Sequence, residues 1–168
     1  MTASPPPEPL ASPVSKDRFR EVFREWPAGV ALVAVRDGGR VYATTLTSLV
    51  PVSADPPTLL FSLGPTAQVL PFLEARTRFA VSLLARDQAP LAHIHADAFP
   101  VGPSPFPLEG DPLVAGSLAR LVCEVSALVD TGAASRLVLA RILEGSVEPD
   151  RPPLLYRRRR YAGIDEEG

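Results

Sequence analysis

The chain has one cysteine in 168 residues, Cys123, so neither an intrachain disulfide nor a thiolate metal site is open to it. Its setting, "LARLVCEVSALV", reads as a buried strand in which the thiol is packing material. No apolar run approaches the roughly 18 residues of a membrane helix, and no basic segment followed by an apolar core opens the chain. The expected location is cytoplasmic, with no membrane as partner. No G-x-G-x-x-G follows a strand-like run, which argues against a dinucleotide-binding parallel sheet, and no internal repeat is present. Charge of one sign is also missing: the formal net charge is -2, so nothing draws the whole chain toward nucleic acid, and none is expected as a partner.

What remains is an apolar fraction of 46% and a charged fraction of 21%, the composition of one ordinary globular domain. Residues 1–15, "MTASPPPEPLASPVS", offer almost nothing to bury and read as a disordered tail. The folded domain is expected over 16–164, with 165–168 an acidic tail. From Asp17, a reasonable N-cap, "DRFREVFREW" places Phe19, Val22, Phe23 and Trp26 at helical spacing, and Trp26 reads as a core residue. Two strand-like runs flank Asp37-Gly38-Gly39, a hairpin turn. "TLLFSLG" and "RFAVSLLA" read as strands. "TAQVLPFLE" reads as a short helix carrying Pro71, and "DQAPLAHIHADAF" as a helix capped by Asp87. "PVGPSPFPLEGDP" is a loop, and two long strands, over 117–132 and 135–148, follow. Short strands joined by turns, with helices near the beginning and middle, predict a mainly β (α+β) fold, an antiparallel split β-barrel with a few short flanking helices.

The stretch "YATTLTSLVPVSADPP" sets a row of hydroxyls between apolar strands. Along a strand Thr45 and Thr47 share one face and Thr44, Leu46 and Ser48 the other. Alternation fails after Ser48, so the strand is expected to end there in a loop. Small hydroxyls and free amides form a cradle for phosphate without formal positive charge, although Thr is also simply a good strand former.

Taken in order, "FREVFREWPAGVALVAV", the hydroxyl stretch, "RFAVSLLARDQAPLA", "GDPLVAGSLARLVCEVSALVDTG" and "PLLYRRRRY" resemble the flavin reductase family with its FMN-binding split barrel, over about residues 17–162. The resemblance implies that Thr45, Leu46, Thr47 and Ser48 wrap the ribityl chain and phosphate of FMN, or of FAD. It extends the implied flavin set to Ser62, to Thr66 and Gln68 of "GPTAQV", to Ser82, and to Tyr156, Arg158 and Tyr161. It also implies NADH or NADPH as hydride donor, a homodimer, and a partner monooxygenase. The chain departs from the family pattern at Ser82, where the family has Asn, and at Ala133-Ala134-Ser135, where it has Gly-Asp-His. A flavin-binding protein or electron carrier that turns over NAD(P)H slowly is the alternative that these departures favour. No catalytic side chain is expected, since hydride transfer needs none.

Two further patterns invite other chemistry. "HIH" at 93–95, with Asp97 behind it, suggests metal, but residues two apart on a helix do not share a face and no third ligand is near, so no metal site is expected. Arg157 to Arg160 with Tyr161 suggests a nucleic-acid patch. On a terminal strand alternate arginines would instead face opposite sides, two of them reaching a phosphate.

Overall fold

The computed structural model describes residues 12–97 and 100–164; most of the expected tail at 1–15 and all of that at 165–168 lie outside this range. Helix α1 (Lys16–Arg24) precedes the strands β1 (Ala28–Gly29), β2 (Ala31–Asp37), β3 (Arg40–Leu46), β4 (Val50–Ala54), β5 (Pro57–Leu63) and β6 (Arg78–Leu83). Helix α2 (Ala89–Ile94), β7 (Ala119–Asp130), β8 (Arg136–Val147), β9 (Leu155–Arg157) and β10 (Arg160–Ala162) complete the chain. Seven strands form one antiparallel sheet in the order β3-β2-β6-β7-β8-β5-β4, and β1-β9-β10 form a second small sheet.

Strands β3 and β4 lie at opposite edges of the large sheet, yet only residues 47–49 separate them. Four trans peptide steps from Leu46 to Val50 span at most about 15 Å. The sheet must therefore curl until its edges nearly meet, which makes it a barrel split along one seam. Ser48 straps one end of that seam. Its hydroxyl donates to the Ser62 carbonyl at 3.0 Å and accepts from the Ser62 amide at 3.1 Å.

Alternation sorts the side chains into two cores. Ala31, Val33 and Val35 of β2 face the barrel interior with Phe61, Phe79, Val81, Cys123, Val125 and Val138. Leu32 and Ala34 face outward, where α2 and the β9-β10 hairpin cover them in a second cluster with Ala43, Leu84, Ala92 and Leu154. Because both faces of β2 are covered, its run "ALVAV" is continuously buried. The Gly38-Gly39 turn takes positive φ at both positions, 53° and 81°, as a two-residue hairpin requires. The Pro-rich segment after α2 is held by three anchors: Arg36 donates to the Gly110 and Pro107 carbonyls, Arg78 pairs with Asp111, and the Val114 amide donates to the buried Ser82 hydroxyl.

Several expectations need correction. Ser15, in extended backbone, caps α1 by accepting from the Arg18 amide, whereas Asp17 sits inside the first turn and complements the helix dipole. The apolar face of α1 is not buried in this chain: Phe19, Val22, Phe23 and Trp26 are 53%, 55%, 55% and 70% exposed. The strand ends at Leu46, and the loop that follows is only residues 47–49 before β4, an exposed edge strand, where Pro51 is tolerated because an edge leaves amides unpaired. The expected helix over 66–74 contracts to one 3-10 turn, Leu70–Phe72, because Val69 and Leu73 turn inward to plug the barrel. Asp87 does not cap α2; it pairs with Arg151, and the Gln88 side chain accepts from the Ala85 amide instead. Arg158 and Arg159 stand in the turn between β9 and β10, at φ 51° and 61°, rather than on a strand.

Truncation of Phe79, fully buried in the barrel, is expected to cost about 3–5 kcal/mol in guanidinium unfolding. Val52→Ala on the exposed edge should stay within ~0.5 kcal/mol.

Candidate functional site

Beyond the strap that Ser48 makes at one end, the seam encloses open space. One wall is β3, running back from Leu46 toward Arg40, and the other runs on from Ser62 toward Phe72; the two touch where Tyr42 meets Phe72. Two adjoining cavities occupy it and share Gln68. The larger, about 590 Å³, is lined by Arg40, Tyr42, Gln68, Phe72 and Val101 among others. The smaller, about 150 Å³, is lined by Thr44, Gly64, Thr66, Gln68, His95 and Asp97.

Period-two alternation puts Arg40, Tyr42 and Thr44 on the groove side of β3. Tyr42 stacks on Phe72 with ring centroids 3.8 Å apart and 23° between planes, so an aromatic pair bridges the seam at the wide end. The narrow end is polar and almost without charge. Thr45 builds it indirectly: its amide donates to the His95 carbonyl at 3.0 Å and its hydroxyl to the Ala92 carbonyl at 2.9 Å. These two bonds satisfy carbonyls at the C-terminal end of α2 that the helix leaves open, and they press that end against β3 beside Thr44.

His95 is thereby buried, 8% exposed, with its ring 5.6 Å from that of Phe106. Its Nδ1 has no hydrogen-bond partner. Burial lowers its pKa from the ordinary value, so the imidazole is neutral at pH 7. Among the described residues no cluster of three or more His, Cys, Asp or Glu is placed to hold a metal.

Of the residues singled out in the sequence, Thr66 and Gln68 line the groove. Thr45 turns its hydroxyl to α2, Ser48 and Ser62 form the strap, Leu46 joins the barrel core, and Thr47 lies exposed in the crossing. Ser82 anchors the Pro-rich segment. Tyr156 and Tyr161 pack on the outer core, their rings 5.3 Å apart, and Arg158 pairs with Glu25 together with Arg157. Tyr156 and Arg158 belong to a different cleft, between α1 and the β9-β10 hairpin. Ala133 to Ser135 lie on the exposed β7-β8 turn.

Sequence reading missed Tyr42, Thr44, Phe72 and His95. The alternation that sets Thr44 apart from Thr45 was visible. The burial of His95 was not, because it depends on where α2 ends and on the bonds that Thr45 makes. Cys123 is fully buried, and burial pushes its thiol up to about 12, so it takes no part in the site.

A model for the family described as "Flavin reductase like domain" matches residues 23–165. The NADH-dependent FAD reductase of Streptomyces globisporus is 32% identical over 97% of this chain and 95% of its own length. The reductase component of 4-hydroxyphenylacetate 3-monooxygenase from Thermus thermophilus is 32% identical over 87% of this chain and 95% of its own. Among solved structures, the NADH:FAD oxidoreductase of Streptomyces globisporus C-1027 superposes with a TM-score of 0.80 at 28% identity, covering 96% of this chain and 100% of the other.

His95 also sets a pH expectation. Because its folded pKa lies below the 6.5 of the free side chain, the unfolded chain binds more protons just below pH 6.5, and stability falls as pH drops through that window. In chemical denaturation between pH 7.5 and 5, the ligand-free wild type should lose more stability than His95→Gln. Equal losses would mean that the imidazole does not titrate against burial.

Proposed function

The chain belongs to the flavin reductase like domain family, and from this premise we propose that it transfers hydride from NADH or NADPH to a flavin held in the seam groove. The carrying observation is the match over residues 23–165 together with a groove whose aromatic wide end and hydroxyl-lined narrow end correspond to the two ends of a flavin nucleotide. The groove fits the group: the outer face of the Tyr42–Phe72 stack suits a planar ring, and Thr44, Thr66 and Gln68 offer polar groups beside it. FMN is the flavin favoured here, with FAD accommodated because it contains the same ring, ribityl chain and first phosphate.

When bound, the flavin ring supplies the redox chemistry, accepting two electrons as hydride from the nicotinamide. The protein's part is placement. Tyr42 and Phe72 hold the ring plane, Thr44, Thr66 and Gln68 offer hydrogen bonds along the tail, and Arg40 adds a cation at the wide mouth. Val101 also lines the wide end. Fixing donor and acceptor in register is worth a large share of such a barrier, and no side-chain acid or base is required. The exposed Ala133-Ala134-Ser135 turn brings no imidazole to this chemistry, which supports slow turnover by a flavin carrier as the second reading.

The α1 face of Phe19, Phe23 and Trp26, with Val50 and Val52 on β4, supports self-association, since monomers rarely expose large apolar patches. A homodimer is the assembly we infer. The reductase-component name of the Thermus thermophilus relative supports a flavin-consuming monooxygenase as recipient of the reduced flavin. No helix among the described residues is long and apolar enough to cross a membrane, and we place the activity in the cytoplasm, where NAD(P)H is held.

Anaerobic addition of NADH or NADPH to the flavin-loaded protein should bleach the visible flavin bands within seconds; bands that persist for minutes would favour the carrier. Tyr42→Ala should raise the flavin KM about tenfold, about 1.4 kcal/mol, with a smaller change in kcat. In sedimentation velocity the wild type should run as a dimer and a Phe23→Asp/Trp26→Asp double variant as a monomer.

A further inference from the structure

Resting on the flavin reading of the groove, we propose that Asp37 and Glu74 make this chain select NADH over NADPH. They receive the adenosine ribose of the hydride donor and repel the 2′-phosphate that distinguishes NADPH. With the flavin's tail in the narrow end of the groove and its ring in the wide end, a nicotinamide meeting that ring leaves the rest of its dinucleotide to pass over the rim at the β2-β3 hairpin. A further cavity of about 340 Å³ opens at this rim, lined by Val35, Arg36, Asp37, Phe72, Glu74 and Thr77 among others. It shares Phe72 with the wide cavity.

The hairpin register sets the charges in order. Asp37 is the cross-strand partner of Arg40, as Val35 is of Tyr42. Directly opposed residues share a face and stand roughly 4.5–5.5 Å apart at Cα, so Val35 and Asp37 carry the groove side of β3 across to β2 and out to the rim. A cation and a carboxylate therefore stand side by side where the donor crosses. They do not neutralise each other: among the described residues Arg40, Asp37 and Glu74 are in no ion pair, and all three are exposed. Arg36, the other cation at the rim, donates to the Gly110 and Pro107 carbonyls.

From the groove outward the order is Arg40, which lines the wide cavity, then Asp37 and Glu74, which line the next. A dinucleotide followed from its nicotinamide end presents a matching order, an anionic pyrophosphate and then the adenosine ribose with its diol. Arg40 suits the pyrophosphate as a charge-assisted donor. A carboxylate accepts from ribose hydroxyls, and an acidic side chain is the common reader of a free 2′-hydroxyl in dinucleotide sites. With Arg40 on the pyrophosphate and Arg36 held by main-chain carbonyls, a 2′-phosphate at the same place faces two carboxylates of like charge.

The test pairs anaerobic stopped-flow bleaching of the FMN-loaded full chain by NADH and by NADPH with calorimetric titration of the same protein with NAD⁺ and NADP⁺. It compares wild type, Arg40→Gln and an Asp37→Asn/Glu74→Gln double variant. Wild type should favour NADH about a hundredfold in the second-order bleaching rate, and bind NAD⁺ over NADP⁺ by a similar factor, as a phosphate dianion against two exposed carboxylates requires. The double variant should bleach about tenfold faster with NADPH and about threefold slower with NADH, opposite signs that a general loosening of the hairpin would not produce. Raising the salt from about 20 mM to about 500 mM should narrow the wild-type preference and barely change that of the double variant. Arg40→Gln should weaken both donors alike, about tenfold, because the pyrophosphate is common to them. Equal bleaching of the wild type by both donors would overturn the proposal and leave the flavin reading standing, as would a preference that the double variant keeps. FMN that is bound but bleached by neither donor would overturn it in favour of the flavin carrier, and a protein that binds no FMN would remove the groove reading with it.

Discussion

A crossing of three residues controls this structure. Residues 47–49 carry the chain from one edge of a seven-stranded sheet to the other, and that reach is too short for an open, twisted sheet. The sheet closes toward itself, the interior fills with Phe61, Phe79 and their aliphatic neighbours, and a seam is left where the edges face each other. Ser48 holds the seam shut at one end through the main chain of Ser62. Everything assigned to function lies along the part that remains open.

The second layer follows from β2 and β3 being apolar on their outer face as well. Covering that face calls α2, the Pro-rich segment and the β9-β10 hairpin onto it. Thr45 bonds the C-terminal end of α2 to β3, and this places His95 at the polar end of the groove. The seam alone offers hydroxyls and an aromatic wall. The outer layer adds the buried imidazole of His95, so packing of the second core and the make-up of the site are one problem.

Much of the fold was legible because it rests on local patterns. The Gly38-Gly39 hairpin, the continuously apolar β2, the two long strands β7 and β8 and the burial of Cys123 all follow from alternation and turn chemistry. The family resemblance, read from ordered blocks rather than any one motif, agrees with the match over residues 23–165. The site was less legible, because a hydroxyl's role depends on its partner. Thr45 and Ser48 looked like ligand groups, and each instead bonds distant main chain, at Ala92 and Ser62. Arg158 was read on a strand, but the β9-β10 hairpin is so short that it falls in the turn and turns to Glu25. His95 was weighed in the sequence only as a metal ligand; tertiary packing buries it and leaves His93 against Tyr161. Phe19, Phe23 and Trp26 have the spacing of a core-facing helix, and they stay exposed among the described residues.

The flavin's place in the seam is the claim on which the rest turns, and a crystal structure of the protein grown with excess FMN tests it most directly. Density for the ring against Tyr42 and Phe72, with the phosphate between Thr44, Thr66 and His95, is the result expected. Flavin seated instead between α1 and the β9-β10 hairpin, against Trp26 and Tyr156, would contradict it and move the active site to the other cleft.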